Sequence, residues 1–290
     1  MKILNYGSMN IDHVYNVDHM VAPGETILAH EMNNFCGGKG LNQSIAIAKA
    51  GGEIYHAGIL GEDGGDMLTT LKRHHVNTDY IEQASGLSSH TVIQVDRQGQ
   101  NCIIVFAGDH MRISEARIDQ ILEGFSSGDA LVMQNELHNS PLMMRKAKQK
   151  GLLIIFNPSP INDQIQTYPL ESVDWFLLNE VEGAALTGET EPNRILAQLH
   201  CQYPAASVVL TLGKEGAYCM HNGETLFQPA FAVKAVDTTA AGDTFTGYFV
   251  TGFAQGKPLA AVLERAARAS SITVGRMGAA DSIPYASELE

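Results

Sequence analysis

Nowhere in this sequence do apolar residues run on for the roughly 18 positions that a membrane-crossing helix needs, so no transmembrane span is expected. The opening segment MKILNYGSMNIDH lacks the long apolar stretch of a secretory leader and soon meets Asn10 and Asp12. Cysteine is scarce: Cys36, Cys102, Cys201 and Cys219 are the 4 in 290 residues, and they lie far apart. That spacing suits neither a disulfide framework nor a metal cluster, and free thiols in a reducing cytoplasm are expected. Basic residues are outnumbered, 19 against 32 acidic, for a formal net charge of -13. Such a surface repels nucleic acid and anionic membranes. It also repels a polyanionic ligand unless positive charge or metal is concentrated at the site. The patterns G-x-x-x-x-G-K-[ST], G-x-G-x-x-G and H-E-x-x-H are missing, which argues against a P-loop, a nicotinamide cofactor and a zinc-protease helix.

What is present is an ordinary globular composition, 44% hydrophobic and 18% charged, in a chain long enough for one large core. No repeat, low-complexity tract or linker divides it, so residues 1–290 read as one domain. KILNYG reads as a first buried strand. KGLNQSIAIAKAGG (39–52) reads as a helix with Leu41, Ile45, Ala46 and Ala48 on one side and Gly51 and Gly52 ending it. EIYHAGILG, GGDMLTTLKRHHV and DYIEQ continue as strand, helix and strand. Short apolar strands then alternate with helices through ALVMQ, SPLMMRKAKQKG, LLIIFNPSP, DWFLLN, EVEGAALTG and ASVVLTLG. Paired strands around GAYCMHNGETLFQP follow, then a helix over 243–255 and another in PLAAVLERAARASSITV. This alternation predicts a mostly parallel sheet covered on both faces. Two stretches break it, 13–38 and 88–108; both alternate with a period of two, and the second folds around RQGQ as a hairpin. They form either edge strands or a small separate sheet.

Open sheets of this kind bind ligands beyond the carboxyl ends of their strands. Polar and glycine-rich groups fall at those ends: GSMNID, FCGGKG, MQNE, FNPSP, LLNEVE, LTLGKEG and VDTTAAGD. Turns need Gly, Asn, Asp and Pro anyway, but that accounts less well for Asn179, Glu180 and Glu182. In AGDTF (241–245), small residues permit close approach and a helix N-terminus offers N–H groups to an anion. Asp243 beside it suits a base that orients an alcohol in phosphoryl transfer; equally, Asp is common in a first helical turn. GGKGLNQ reads as a close approach to a polar, uncharged ligand, with Lys39 and Asn42 donating and Asn10 and Asp12 completing a hydroxyl-binding set. The alternative is a solvated Lys39. Asn179 and Glu182 fit a hard cation held through water, or a helix cap with a solvated Glu. The adjacent His74 and His75, placed on a helix, do not converge on one ion.

Taken together, GSMNIDH…PGET…FCGGKGLNQSIAIAKAG and VDTTAAGDTFTGYFVTGF, with LLNEVEGAALTG, VVLTLGKEGAY and ITVGRMGAADSIP in order between and after them, resemble the ribokinase-like (pfkB) sugar kinases over nearly the whole chain. The resemblance implies a three-layer α/β/α sandwich with a central, mostly parallel sheet. It also implies a small β lid inserted from approximately 13–35 and 88–106, closing over the sugar and joining two copies. It implies ATP-dependent phosphorylation of a sugar hydroxyl, with D-ribose to D-ribose 5-phosphate the first choice. Deoxyribose, fructose, keto-deoxygluconate or a nucleoside are the alternatives. Matched sugar contacts are Asn10, Asp12, Gly38, Lys39, Asn42 and Glu136, together with Asp243. Asp243 matches the catalytic base, and the N–H groups of Ala240, Ala241 and Gly242 match an anion hole. Asn179 and Glu182 match the phosphate and Mg²⁺ neighbourhood, and Thr211 and Gly213 match nucleotide contacts. A K⁺ site would match Asp237, Thr239, Thr273, Arg276, Gly278 and Ser282, several through carbonyls. The lid is poor in Arg and Lys, which argues against a phosphorylated sugar. An apolar slot for a nucleobase would have to come from Val14, Phe35, Cys102 and Ile104.

Overall fold

The computed structural model describes residues 1–108 and 112–289. Its main sheet has nine strands, and the chain enters it at the third strand from one edge. β1 (Ile3–Tyr6) pairs in parallel with β4 (Ile54–Leu60) on one side and with β8 (Ala130–Gln134) on the other. Beyond β4 lies β5 (Asn77–Gln83). Beyond β8 come β9 (Leu153–Asn157), β10 (Trp175–Asn179) and β11 (Ser207–Thr211), all parallel. The antiparallel hairpin of β12 (Gly216–His221) and β13 (Glu224–Pro229) closes that edge. Strand order reverses between β1 and β8, and that is where a ligand crevice opens in a sheet of this type.

The inner parallel strands are mostly apolar because helices cover both faces. Along them alternate residues fall into two separate cores. Ile3, Val132, Ile155, Leu177 and Val209 pack on one side, and Leu4, Leu131, Phe156, Phe176 and Leu210 on the other. The first face carries α1 (Lys39–Lys49), α2 (Gly65–Arg73), α7 (Ala241–Ala254) and α8 (Leu259–Val274). The second carries α3 (Glu115–Glu123), α4 (Ser140–Gln149) and α6 (Pro192–Gln202), with the short α5 (Glu180–Thr187) beside them. This is the three-layer α/β/α architecture. α3 and α6 are additions to the sequence-based reading, although each carries a start signal. Ser114 caps α3 by accepting from the Arg117 N–H at 3.2 Å, and Pro192 opens α6.

Three local expectations change. α1 is buried on nearly every side rather than along one stripe, and Ala48 is one of its few partly exposed positions. It lies between the sheet and α7, so polar residues of α1 have to find partners indoors. α2 ends at Arg73, so His74 and His75 lie past the helix, with His75 in left-handed backbone at φ 61. Asp243 sits within the first turn of α7, which starts at Ala241 rather than 243.

A second, four-stranded sheet is built from the two interrupting stretches. β2 (Asn10–Asn16) pairs with β3 (Glu31–Gly37) and with β6 (Ser89–Val95), and β7 (Asn101–Phe106) forms the outer edge. Its register puts Asn10, Asp12, Val14 and Phe35 on one face with Thr91. Cys102 and Ile104 pair with Gln94 and Val92, on the opposite face. A single nucleobase slot made from all four apolar residues is therefore excluded: side chains alternate strictly along a strand.

Candidate active site

Two helices deliver the central groups. α1 and α7 run parallel and in step: Asn42 touches Asp243, Ala46 lies against Gly247, and the Thr251 hydroxyl donates to the Ile47 carbonyl at 3.3 Å. Gly247 makes the close approach possible, because a Cβ there would overlap Ala46 Cβ and lie 2.8 Å from Ile47 N. Both N-termini consequently face the same crevice, and their dipoles add. α7 starts from Ala240, which is left-handed at φ 59, and no side chain caps it. Of the N–H groups expected to form an anion hole, that of Ala241 reaches back to the Thr238 carbonyl at 3.3 Å, a long bond. A cleft of about 250 Å³ opens in front, lined by Ala240, Ala241, Gly242 and Asp243 with Lys39, Asn179, Glu182 and Thr211.

Asp243 is 7% exposed and accepts two side-chain bonds. Asn42 Nδ2 donates to Oδ2 at 3.2 Å and Gln43 Nε2 donates to Oδ1 at 3.0 Å. Asn42 Oδ1 is buried without a partner among the described residues, an acceptor suited to a ligand hydroxyl. Lys39 is partly buried rather than solvated. Burial works against its charge, but Asp243, Glu136 and Glu182 together hold its ammonium above the ordinary lysine value. Across the strand-order reversal, Glu136 follows β8 and accepts from the hydroxyl of Ser8, which follows β1. Burial pushes the Glu136 carboxyl up to about 7, reinforced by Asp243 and Asp12 and opposed by Ser8 and Lys39. Asp12 Oδ1 accepts from the Thr91 hydroxyl at 2.7 Å; burial raises its carboxyl while Thr91 and His13 pull the other way. Gly38, at φ 99, brings its backbone against Ser8, where a Cβ would lie 2.8 Å from the Ser8 carbonyl. Asn10 opens β2 opposite Gly37 and Ser89.

Asn179 and Glu182 form a reciprocal capping box on α5. Glu182 N–H donates to Asn179 Oδ1 at 2.9 Å, and Glu182 accepts from the Asn179 backbone N–H at 3.0 Å and from Nδ2 at 3.1 Å. The cap is present, but Glu182 is 5% exposed, not solvated. Both its oxygens are engaged, which suits contact with a cation through water better than direct ligation. Thr211 ends β11 in the cleft wall, while Gly213 lies in the following turn, outside that wall. Asp237 ties two loops together: Oδ1 accepts from the Thr239 N–H at 2.9 Å and hydroxyl at 2.6 Å, and Oδ2 from the Gly278 N–H at 3.0 Å. Although burial opposes it, those three bonds hold the Asp237 carboxyl below its ordinary value. Thr273 meets the Thr244 hydroxyl of α7 at 3.0 Å and its carbonyl accepts from the Arg276 N–H at 3.0 Å. The Arg276 guanidinium pairs with Glu288 at 2.6 Å, so that side chain is turned to another partner, and Ser282 donates to the Ala279 carbonyl at 2.7 Å.

The sequence reading passed over Ser8, Gln43, Thr91 and Asn157. Only Ser8 and Asn157 carried a signal, as polar residues at strand ends.

An α/β/α sandwich with a helix N-terminus, a buried carboxylate and a lysine at its strand-order reversal is the frame of a small-molecule phosphotransferase. The chain belongs to the pfkB family of carbohydrate kinases, whose pattern matches residues 1–286. It is 34% identical to the ribokinase of Schizosaccharomyces pombe, with 100% of this chain and 97% of that protein covered. Among solved structures it is similar to ribokinase from Cryptococcus neoformans in complex with ADP, at TM-score 0.89, 30% identity, and 99% and 98% coverage. It is also similar to Arabidopsis thaliana ribokinase complexed with ribose and ATP, at TM-score 0.87, 28% identity, and 99% and 97% coverage.

Proposed function

We propose that this protein transfers the terminal phosphoryl group of ATP to D-ribose, giving D-ribose 5-phosphate. The observation that carries the reading is the meeting of Lys39 and Asn42 from α1, Glu136 after β8 and Asp243 from α7 at one crevice. Asn10, Asp12, Gly38, Lys39, Asn42 and Glu136 hold the sugar hydroxyls. Asp243 orients the acceptor hydroxyl and takes its proton as the new O–P bond forms. The N–H groups of 240–242, at the positive end of α7, stabilise charge on the moving group. Thr211 and Gly213 lie along the nucleotide. Mg²⁺ neutralises the phosphates, and Asn179 and Glu182 hold it through water. The strands of the small sheet contain no Lys or Arg, which favours an unphosphorylated sugar. Closure of that sheet as a lid excludes water, the competing acceptor. The test is ADP release with MgATP and K⁺ over ribose, deoxyribose, fructose, keto-deoxygluconate, inosine and fructose phosphate. Ribose should give the highest kcat/KM; a stronger signal from inosine would move the substrate class.

Ionised Glu136 is the better acceptor for a sugar hydroxyl, so KM for ribose should fall as pH rises through about 7, and E136Q should flatten that trend. Stability moves the other way. A carboxyl raised from 4.5 to about 7 binds its proton more tightly in the folded state. Its contribution is complete below 4.5 and is lost as pH climbs through about 7. E136Q should therefore melt a few degrees higher than wild type at roughly pH 8, with the gap closing near pH 4.5. Equal melting shifts at both pH values would contradict the buried, protonating carboxyl.

In the proposed K⁺ site Asp237 supplies the carboxylate, and the other matched residues would add oxygen, a donor set suited to K⁺. Thr239, Thr273, Arg276, Gly278 and Ser282 would complete it through carbonyl or hydroxyl oxygens. Asp237→Ala should raise the K⁺ concentration for half-activation by about tenfold or more, leaving the Mg²⁺ dependence unchanged. A K⁺ curve that does not move removes this site.

Every residue of the edge strand β7 is exposed, and Ile103, Ile104, Val105 and Phe106 are among them. A bare apolar edge of this kind is covered in a working protein, and a second copy is the occupant we favour. Sedimentation should give a dimer for wild type and a monomer for Ile104→Glu. A monomeric wild type would remove the dimer. No helix among the described residues is long and apolar enough to cross a membrane. Four unpaired cysteines, two of them exposed, suit the reducing cytoplasm as its location.

A further inference from the structure

Behind Asp243 runs a chain of side-chain amides, most of them buried, that the proposed chemistry does not use. Gln43 is fully buried on α1. Its Nε2 donates to Asp243 Oδ1 at 3.0 Å and to Asn157 Oδ1 at 3.2 Å. Its Oε1 accepts from Gln134 Nε2 at 2.7 Å. Gln134, the last residue of β8, also donates to Asn5 Oδ1 at 3.0 Å. Asn5, inside β1, donates to the Gly40 carbonyl at 2.8 Å and the Ser44 hydroxyl at 2.9 Å, and Ser44 meets His56 Nδ1 at 2.8 Å. Asn157 is fixed from its far side by donating to the Leu177 carbonyl at 2.8 Å.

Each link decides which way the next amide faces. Turned over, Gln43 would set its carbonyl oxygen against two acceptors and its NH₂ against the NH₂ of Gln134. Burial makes such an arrangement costly, because each unmade bond leaves a desolvated polar group without a partner. His56, at the far end, is completely buried, and that burial pushes its imidazole down to about 4, so no charge enters the network near neutral pH. Gln43, Gln134 and Asn5 are neutral, buried and cross-connected, which stiffens the support behind Asp243, while Gln134 Oε1 and His56 Nε2 find no partner among the described residues.

We propose that Gln43 is a positioning residue, held by Gln134 and Asn5, that pins Asp243 Oδ1 and so aims the carboxylate at the acceptor hydroxyl. The assignment rests on Asp243 acting as the base of the proposed kinase reaction. Gln43 does not itself line the cleft and reaches it only through Asp243 and Asn157, so its effect belongs in the rate of the chemical step, where a misplaced group costs up to about 100-fold.

The experiment compares kcat, KM for ribose, KM for ATP and melting temperature in wild type, Gln43→Met, Gln43→Glu, Gln134→Met and the Gln43→Met/Gln134→Met double variant. Gln43→Met keeps the volume and removes the donor; kcat should fall by about 10–100-fold with both KM values within about threefold. Gln43→Glu keeps the bond from Gln134 but turns an acceptor towards Asp243, and kcat should fall at least as far. It also serves if the methionine variant fails to fold. Gln134→Met touches nothing at the cleft, yet should lower kcat by releasing Gln43. The double variant should be no slower than Gln43→Met alone, because coupled residues are not additive. An active wild type with normal kcat in Gln43→Met and Gln43→Glu overturns the role of Gln43 alone. So does a loss confined to KM, or a double variant whose losses multiply. Absence of turnover in the wild-type protein overturns this assignment together with the kinase reading.

Discussion

Asp243→Ala should slow ribose-dependent ADP release by about 1,000-fold or more while leaving ribose affinity within about tenfold. The reason lies in how little else the site can use. Lys39 is held protonated by Asp243, Glu136 and Glu182, so it donates and cannot accept the hydroxyl's proton. Glu136 is occupied by the Ser8 hydroxyl across the sheet reversal. Both oxygens of Glu182 are bound in the α5 cap. Asp243 alone combines a place at the α7 N-terminus, a share of the cleft wall and a fixed orientation. Asp243→Asn should be no milder: its new NH₂ would face either the Asn42 or the Gln43 NH₂, both of which already donate. The measurements are steady-state kinetics and ribose titration by calorimetry. More than about a tenth of wild-type kcat surviving in Asp243→Ala would displace it as the base.

Gly247→Ala should destabilise the helix pair that carries the site. In an isolated helix alanine is favoured over glycine by about 1 kcal/mol, so propensity predicts a gain. Packing predicts the reverse. The added Cβ overlaps Ala46 Cβ and lies 2.8 Å from Ile47 N and 2.9 Å from Ala46 C, and two of those atoms are backbone of a buried helix. α1 cannot retreat without pulling Asn42 and Gln43 away from Asp243, since all are carried on the same parallel helix pair. Overpacking of this kind costs about 1–3 kcal/mol, occasionally more. We expect a melting temperature lower by about 5–10 °C and a kcat lower by about tenfold. Gly65→Ala is the control: it opens α2, nothing lies within 4 Å of its added Cβ, and it should be neutral or slightly stabilising. A stabilised, fully active Gly247→Ala would mean that the helices are not held in this close register.

Part of this protein could be read directly from its residues. Short apolar strands with helices between them require two covered faces, so the layered architecture follows from hydrophobic pattern alone. The polar groups at strand ends stand out because a crevice at those ends is a property of parallel sheets. The resemblance to sugar kinases rested on the same segments, GSMNID, GGKGLNQ and TTAAGD. Other features were silent. Asn5 and Gln134 are polar residues inside apolar strands, a signal present in the sequence but without a stated meaning until their partners were known. Gln43 and Ser44 stand outside the apolar side assigned to their helix, and α1 has almost no exposed side. Cys102 and Ile104 looked available to a pocket that their strand register turns away from. The sequence by itself determined the fold class, the crevice and the identity of the groups around it, since periodicity and strand ends are local properties. Tertiary structure decided which helix faces were buried, that α1 and α7 run parallel through Gly247, and which amide faces Asp243. Those depend on contacts between residues as far apart as Gln43 and Asp243, whose pairing no local pattern encodes.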